Sequence, residues 1–397
     1  MYAIMGVLLR EFLRNVERID DHAEHAIEAV SFSGISLSAS TIHPSTPGIP
    51  RQGIHRILVC RPNHRLGNML LMTPLIAELE RLYKGAEIDI VAEGPLAADV
   101  FATCFSVKNI YCLPRRGFKH PVGFLSLIQR IRNVHYDLVI DPCMGSGFAR
   151  TLARIFRGRY KLGFDEPNPS PGLTHVVPQA MVPRHMAWRP VALVRWHASP
   201  AQDESLAFPA MDIRLTDDER ASGKAALRQL LTERPSARVG CTIGIFADAT
   251  GQKRYPLEWW NEFMATLQAL SSSCDIVEIV PMHGRSMLGD RWPSYYSSSI
   301  RRMGAVMAAT DLMISADCGV MHLAAASQVP TMGLFCTTDP KVYGPYGARN
   351  DSLSTRDMSA QDAARHVIET FPDLFGVPAV PSKETTAPVL ADALAAR

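Results

Sequence analysis

A chain of 397 residues is longer than one hydrophobic core usually grows, so two domains are the default. Hydrophobic residues at 47% and charged residues at 20% make an ordinary globular composition, and a net charge of +2 gives no global pull toward nucleic acid. Eight cysteines, at 60, 104, 112, 143, 241, 274, 318 and 336, form no Cys-x-x-Cys pair and no His/Cys cluster at metal spacing, which predicts reduced thiols, no disulfide framework and no bound metal. In residues 1–19, Ile4, Leu8, Phe12 and Val16 fall at helical spacing with Arg10, Arg14 and Arg18 on another side. Such an amphipathic helix either docks on the protein body or lies on a membrane surface. It lacks a cleavable-leader pattern, and no run in the chain reaches the roughly 18 apolar residues of a membrane span, so a cytoplasmic location is expected. Residues 31–50 are rich in Ser, Pro and Gly and read as a linker, which makes 1–54 a helix and linker ahead of the folded body.

From residue 55 to 209 the pattern alternates. Strands are expected over 56–60, 88–91, 109–113 and 138–140, and helices over 69–83, 97–104, 123–132 and 185–197, the signature of a parallel sheet covered on both faces. Ligands in such sheets bind at the carboxyl ends of the strands. The first strand feeds the loop Arg61-Pro62-Asn63-His64-Arg65-Leu66-Gly67-Asn68. His64 carries the side chain best suited to proton transfer near neutrality, and Asp141, at the end of the fourth strand beside a Gly145-Ser146-Gly147 turn, is the other proton acceptor at that edge. Asn68, an amide, accepts no proton and suits the cap of the helix that follows. Arg150, Arg154, Arg157, Arg159 and Lys161 form a basic face, read either as a solvated helix surface or as a docking site for an anionic acceptor or phospholipid.

Residues 210–375 repeat the theme, ahead of an Ala/Pro-rich tail over 376–397 expected to be disordered. Thr216-Asp217-Asp218-Glu219 is a capping box that opens a helix through residue 231. A strand over 238–246 ends in a polar loop carrying Lys253, and strands over 276–280, 312–315 and 331–335 follow. Between the last two, Asp317-Cys318-Gly319 turns the chain straight into an Ala-rich helix. Free N–H groups and the helix dipole make that point a phosphate site, with Gly319 admitting a close ligand and Asp317, His322 and, after the next strand, Thr338 around its mouth. Alternatively, Asp317 caps the helix and His322 is a satisfied core histidine. A helix over 359–371, capped by Ser359, is expected to pack back on the first domain.

Three segments carry a family resemblance. The run Ser315-Ala316-Asp317-Cys318-Gly319-Val320-Met321-His322-Leu323-Ala324-Ala325-Ala326, with Thr338-Asp339-Pro340 and Tyr343-Gly344-Pro345 beyond it, resembles glycosyltransferase family 9, the ADP-heptose:lipopolysaccharide heptosyltransferases. The segments Gly67-Asn68…Pro74 and Lys253-Arg254-Tyr255-Pro256 are similar to two further motifs of that family, and the likeness spans residues 56–347. Cys318 stands where the family has Thr, Tyr255 where it has Trp, and Asn68 where it has the Asp held to be the catalytic base. The resemblance implies an α/β fold of two doubly wound Rossmann-like domains facing a cleft (GT-B type), and inverting transfer of heptose from a nucleotide sugar such as ADP-heptose to a lipopolysaccharide or related glycan, without a separate cofactor. It assigns Lys253, Asp317, Cys318, Gly319, His322 and Thr338 to the donor, and Arg65 and Gly67 to the acceptor side, with a possible peripheral contact at the cytoplasmic face of the inner membrane. With Asn68 in place of the base, His64 and Asp141 are the substitutes, and a sugar-nucleotide binder that has lost catalysis is the alternative.

Overall fold

The structure, a computed structural model, describes residues 48–115, 121–166, 172–198, 206–232, 240–271 and 274–375. The expected amphipathic helix over 1–19 and the tail over 376–397 lie outside them. Short apolar runs form two six-stranded sheets whose every pairing is parallel. The first holds β1 (Arg56–Cys60), β2 (Glu87–Glu93), β3 (Val107–Leu113), β4 (His135–Ile140), β5 (Arg157–Phe164) and β6 (His175–Val177), in the order β3-β2-β1-β4-β5-β6. The second holds β7 (Thr242–Phe246), β8 (Asp275–Ile279), β9 (Ser294–Tyr295), β10 (Leu312–Ala316), β11 (Thr331–Phe335) and β12 (Asn350–Ser354), ordered β12-β11-β10-β7-β8-β9. Both follow the doubly wound scheme, so each has a switch point at its carboxyl edge, between β1 and β4 and between β7 and β10. The α/β class and the pair of Rossmann-like sheets expected from the sequence are the observed architecture.

With the first sheet go α1 (Leu66–Leu70), α2 (Thr73–Leu82), α3 (Leu96–Val100), α4 (Pro121–Arg132), α5 (Gly147–Ile155) and α6 (Trp188–Ala198). With the second go α7 (Asp217–Thr232), α8 (Leu257–Leu270), α9 (Ile300–Met307), α10 (Gly319–Ala326), α11 (Pro340–Tyr343), α12 (Ala360–Thr370) and α13 (Pro372–Phe375). One apolar cluster runs through both halves, from Ile57 and Leu75 to Met313 and Leu323. Two further clusters cover the outer faces, around Phe156 in the first half and Trp260 and Phe263 in the second. The capping box forms as expected: the Thr216 N–H donates to Glu219 at 2.9 Å and the Glu219 N–H to Thr216 Oγ1 at 3.2 Å. Glu219 also holds the buried Arg301, whose guanidinium donates to the carbonyls of Asp99 at 3.1 Å and Ile213 at 3.0 Å, tying α9 to the first half and to the connecting segment.

Five expectations are corrected. The single helix over 69–83 is two, α1 and α2, divided at Leu71 and Met72 just ahead of Pro74, whose ring and missing N–H favour a helix start over a helix interior. The basic run is helical only to Ile155, and Arg157, Arg159 and Lys161 lie on β5. The terminal helix α12 packs on α8 within the second half, because its buried Ala363, Ala364 and Val367 complete the Trp260 cluster. Asn68 lies inside α1 and caps nothing. Finally, Cys241 and Cys274 form a disulfide. They immediately precede the paired residues Thr242 and Asp275, so the register of β7 against β8 sets them side by side.

Candidate functional site

Three loops that leave adjacent strands of the second sheet meet at its carboxyl edge. Asp317 follows β10, Lys253 lies beyond β7 and Thr338 beyond β11. The Lys253 ammonium lies 2.8 Å from Asp317 Oδ2, and the Thr338 hydroxyl donates to the same oxygen. Asp317 is thus engaged by its neighbours across the edge, and the helix cap falls to Cys318, which has extended backbone (φ −159°, ψ 177°) and no side-chain capping bond. The amino end of α10 opens beside a lysine, which suits it to a negatively charged group. The Tyr343 ring lies 5.7 Å from the Lys253 Nζ, giving the ammonium an aromatic face.

His322, one turn into α10, is buried, and its Nδ1 has no hydrogen-bond partner among the described residues. Burial, reinforced by nearby His185, pulls its pKa down to about 4, so it is a neutral imidazole at physiological pH. His185 is neutral too: Nε2 donates to the Gly344 carbonyl at 2.9 Å and Nδ1 accepts from the Ala187 N–H at 3.3 Å. Cys318 lies behind the turn, 3.7 Å from Ser315 Oγ, and burial pushes its thiol up to about 11, away from thiolate chemistry.

The first half reaches this point through α1. A Cβ on Gly67 would lie 3.2 Å from the His322 ring and 3.3 Å from Gly319 Cα, and one on Gly319 would lie 2.9 Å from the Gly67 nitrogen. Only glycines allow the two helix starts to approach this closely. The loop before Gly67 is held by Asn63, whose Oδ1 accepts from the Arg65 N–H at 2.8 Å and from the Asn68 amide at 3.0 Å, leaving the Arg65 side chain exposed. His64 projects beside it, with Nδ1 3.0 Å from Glu93 Oε2. An imidazole whose Nδ1 donates to a carboxylate presents Nε2 as a proton acceptor. Glu93 was not singled out from the sequence. The available signal was its place at the end of β2, one residue before Gly94, at the edge where such sheets bind ligands.

Asp141 is placed differently. It is fully buried, accepts from Arg150 Nε at 2.7 Å and from the Cys143 N–H at 3.1 Å, and Arg150 is itself buried. Burial lifts its pKa to about 6 against the pull of Arg150. With no surface of its own it reaches no acceptor, so the structure makes it a positioning ion pair under the β4 edge instead of the base considered from sequence. The structure therefore brings together Lys253, Asp317, Cys318, Gly319, His322 and Thr338 with Gly67. It sets His64 and Arg65 on the loop that leads to them and Asn68 inside α1, and it buries Asp141 beneath the edge.

Residues 298–369 match the family model of Glycosyltransferase family 9 (heptosyltransferase). Among solved structures, the glycosyl transferase family 9 protein from Veillonella parvula DSM 2008 is similar at 17% identity, with a TM-score of 0.65 over 81% of this chain and 97% of that one. The E. coli heptosyltransferase WaaC with ADP gives 20% identity and 0.59 over 79% and 99%. The E. coli ADP-heptose lps heptosyltransferase II gives 18% and 0.59 over 81% and 98%. These likenesses establish the GT-B type fold. No curated protein matches the chain in sequence. The chain thus resembles family 9 in the sequence of residues 298–369 and in the fold of both halves.

Proposed function

We propose that the protein is a family 9-like glycosyltransferase that moves a sugar, heptose by analogy, from a nucleotide-diphosphate sugar such as ADP-heptose to a lipopolysaccharide or related glycan, with inversion, at the cytoplasmic face of the membrane. The observation that carries this reading is the convergence of Lys253, Asp317 and Thr338 on the amino end of α10, opposite the Gly67 loop. In the transfer, an acceptor hydroxyl attacks the anomeric carbon, the bond from that carbon to the diphosphate oxygen breaks, and negative charge builds on the departing diphosphate. The Lys253 ammonium and the first N–H groups of α10 stand where that charge grows, and stabilisation of this kind supplies a large share of catalysis. Asp317 keeps Lys253 directed into the site while the lysine's remaining protons stay available to phosphate oxygens. Neutral His322 backs the amino end of α10, its ring packed against the Gly67 backbone. The acceptor's proton passes to His64 Nε2, with Glu93 holding the ring.

Asn68 supports a second reading, a sugar-nucleotide binder without turnover, because its amide already donates to Asn63 and an amide is no base. Incubation with ADP-heptose and a panel of other nucleotide sugars, with and without truncated lipopolysaccharide, decides between them. Acceptor-dependent release of nucleoside diphosphate is the expected result. Donor binding with no release from any sugar nucleotide gives the second reading, and no binding at all ends both.

A further inference from the structure

At the opposite edge of the first sheet, where the strands begin, the basic run noted in the sequence acquires a shape. A cleft of about 590 Å³ opens between the carboxyl ends of α4 and α5 and the starts of β4 and β5. Arg132, Arg154, Arg157, Arg159 and Lys161 line it, with His135 beside them. Its one acid, Asp137, is already engaged, accepting from the backbone N–H groups of His55 at 2.8 Å and Arg56 at 2.9 Å. Among the described residues no carboxylate pairs with any of the four arginines. Arg132 and Arg154 end their helices, where a cation complements the dipole, and Lys161 donates to the Arg154 carbonyl at 2.5 Å. Arg157 and Arg159 have no such role. They alternate with Gly158 and Tyr160 along β5, fall on one face of the strand with Lys161, and are exposed. Like charges crowded into a concavity without counter-charge repel one another and attract anions.

We infer that this cleft binds the phosphoryl groups of anionic phospholipids and seats the protein on a membrane by the amino edge of its first sheet. Three features favour a membrane over a soluble phosphate. Phe105, the residue before the turn into β3, is fully exposed on the same edge. The 47 residues that precede Gly48, the first 19 of which set Ile4, Leu8, Phe12 and Val16 at helical spacing with Arg10, Arg14 and Arg18 on another side, join the body there: Ile49 and Arg51 bond the carbonyls of His197 and Ala198 at the end of α6, and His55 leads into β1. The edge is also remote from the candidate donor site, since the eight residues of β5 span about 25 Å between the two edges. A seated protein would keep its ligand-binding edge turned away from the bilayer surface, open to solutes and to glycans that rise from the lipid.

The test is co-sedimentation of the full chain with phosphatidylcholine vesicles containing phosphatidylglycerol, against vesicles of phosphatidylcholine alone, for the wild type and the double variant Arg157→Glu/Arg159→Glu. Both residues are exposed, and a melting curve checks that the variant is folded. The expected result is salt-sensitive binding of the wild type to the anionic vesicles only, weakened at least tenfold in the variant, with nucleoside diphosphate release on a soluble acceptor fragment unchanged. Equal sedimentation of the two proteins overturns the inference, as does wild-type binding that ignores vesicle charge. So does an outcome in which inorganic pyrophosphate raises the wild type's melting temperature while anionic vesicles bind neither protein. Sugar transfer is read separately, so failure here leaves the transferase reading standing.

Discussion

His64 and Asp141 were equal candidates in the sequence, and their surroundings separate them. His64 is part-exposed with one ring nitrogen committed to Glu93, whereas Asp141 is buried under Arg150. Accordingly, His64→Ala is expected to lower kcat by about 10²- to 10⁴-fold, the usual contribution of a proton acceptor, with little change in donor KM. Asp141→Asn is expected to act on stability instead, costing about 1–3 kcal/mol, because the buried Arg150 loses one of its two carboxylate partners and keeps Glu166 at 3.4 Å. Steady-state kinetics and urea melts of the two variants measure both. The buried His322 adds a pH signature. Its pKa is about 4 in the folded protein against an ordinary 6.5, so below pH 6.5 the unfolded chain takes up a proton that the folded one does not. The stability this residue confers is therefore fully present above 6.5 and lost progressively toward pH 4, by about 3 kcal/mol at most. Urea midpoints at pH 7.5 and 5 should differ less in His322→Gln than in the wild type.

Among the elements, the strand-turn-helix-strand of β10, α10 and β11 was legible because its punctuation is local: Asp-Cys-Gly starts the helix and Val-Pro ends it. The basic run was misread for an equally local reason. Arg150, Arg154, Arg157 and Lys161 follow one another at spacings of four, three and four, which fits a helix, while the period-two alternation of Arg157, Arg159 and Lys161 belongs to β5. The pairing of Cys241 with Cys274 depends on strand register, and the docking of α12 on α8 depends on contacts far apart in sequence; neither leaves a mark in the motif itself. The contact of α1 with α10 lies between these cases, since both glycines were noticed but their meeting was not. It yields a sharp expectation. Gly319→Ala puts a methyl 2.9 Å from the Gly67 backbone nitrogen, so the helix starts must separate. Donor turnover should fall by an order of magnitude or more while α10 stays folded, as read by kinetics and circular dichroism.

At the scale of the whole molecule, two similar sheets are joined by a common core and by a connecting segment that runs between them. The Ile213 N–H donates to Ala326 at the end of α10, and Arg195, paired with Glu78 at 2.9 Å, holds the carbonyls of Leu206 and Ala207. Arg301 ties α9 to Glu219, to Asp99 and to this segment, and Glu219 is held down to about 2 by that guanidinium. Arg301→Ala removes the donor to the buried Ile213 carbonyl and to the part-buried carbonyls of Asp99 and Arg214, and is expected to cost about 1–3 kcal/mol and to split a single thermal transition into two, measured by calorimetry. The relation of the halves matters because the site is made from both, donor groups from the second and the Gly67 loop from the first. Its most direct test is titration calorimetry of ADP into the wild type and Lys253→Ala. Binding to the wild type and a loss of at least tenfold in the variant are expected. Equal affinity in the two proteins would contradict this site, because the diphosphate would then lie somewhere other than the amino end of α10.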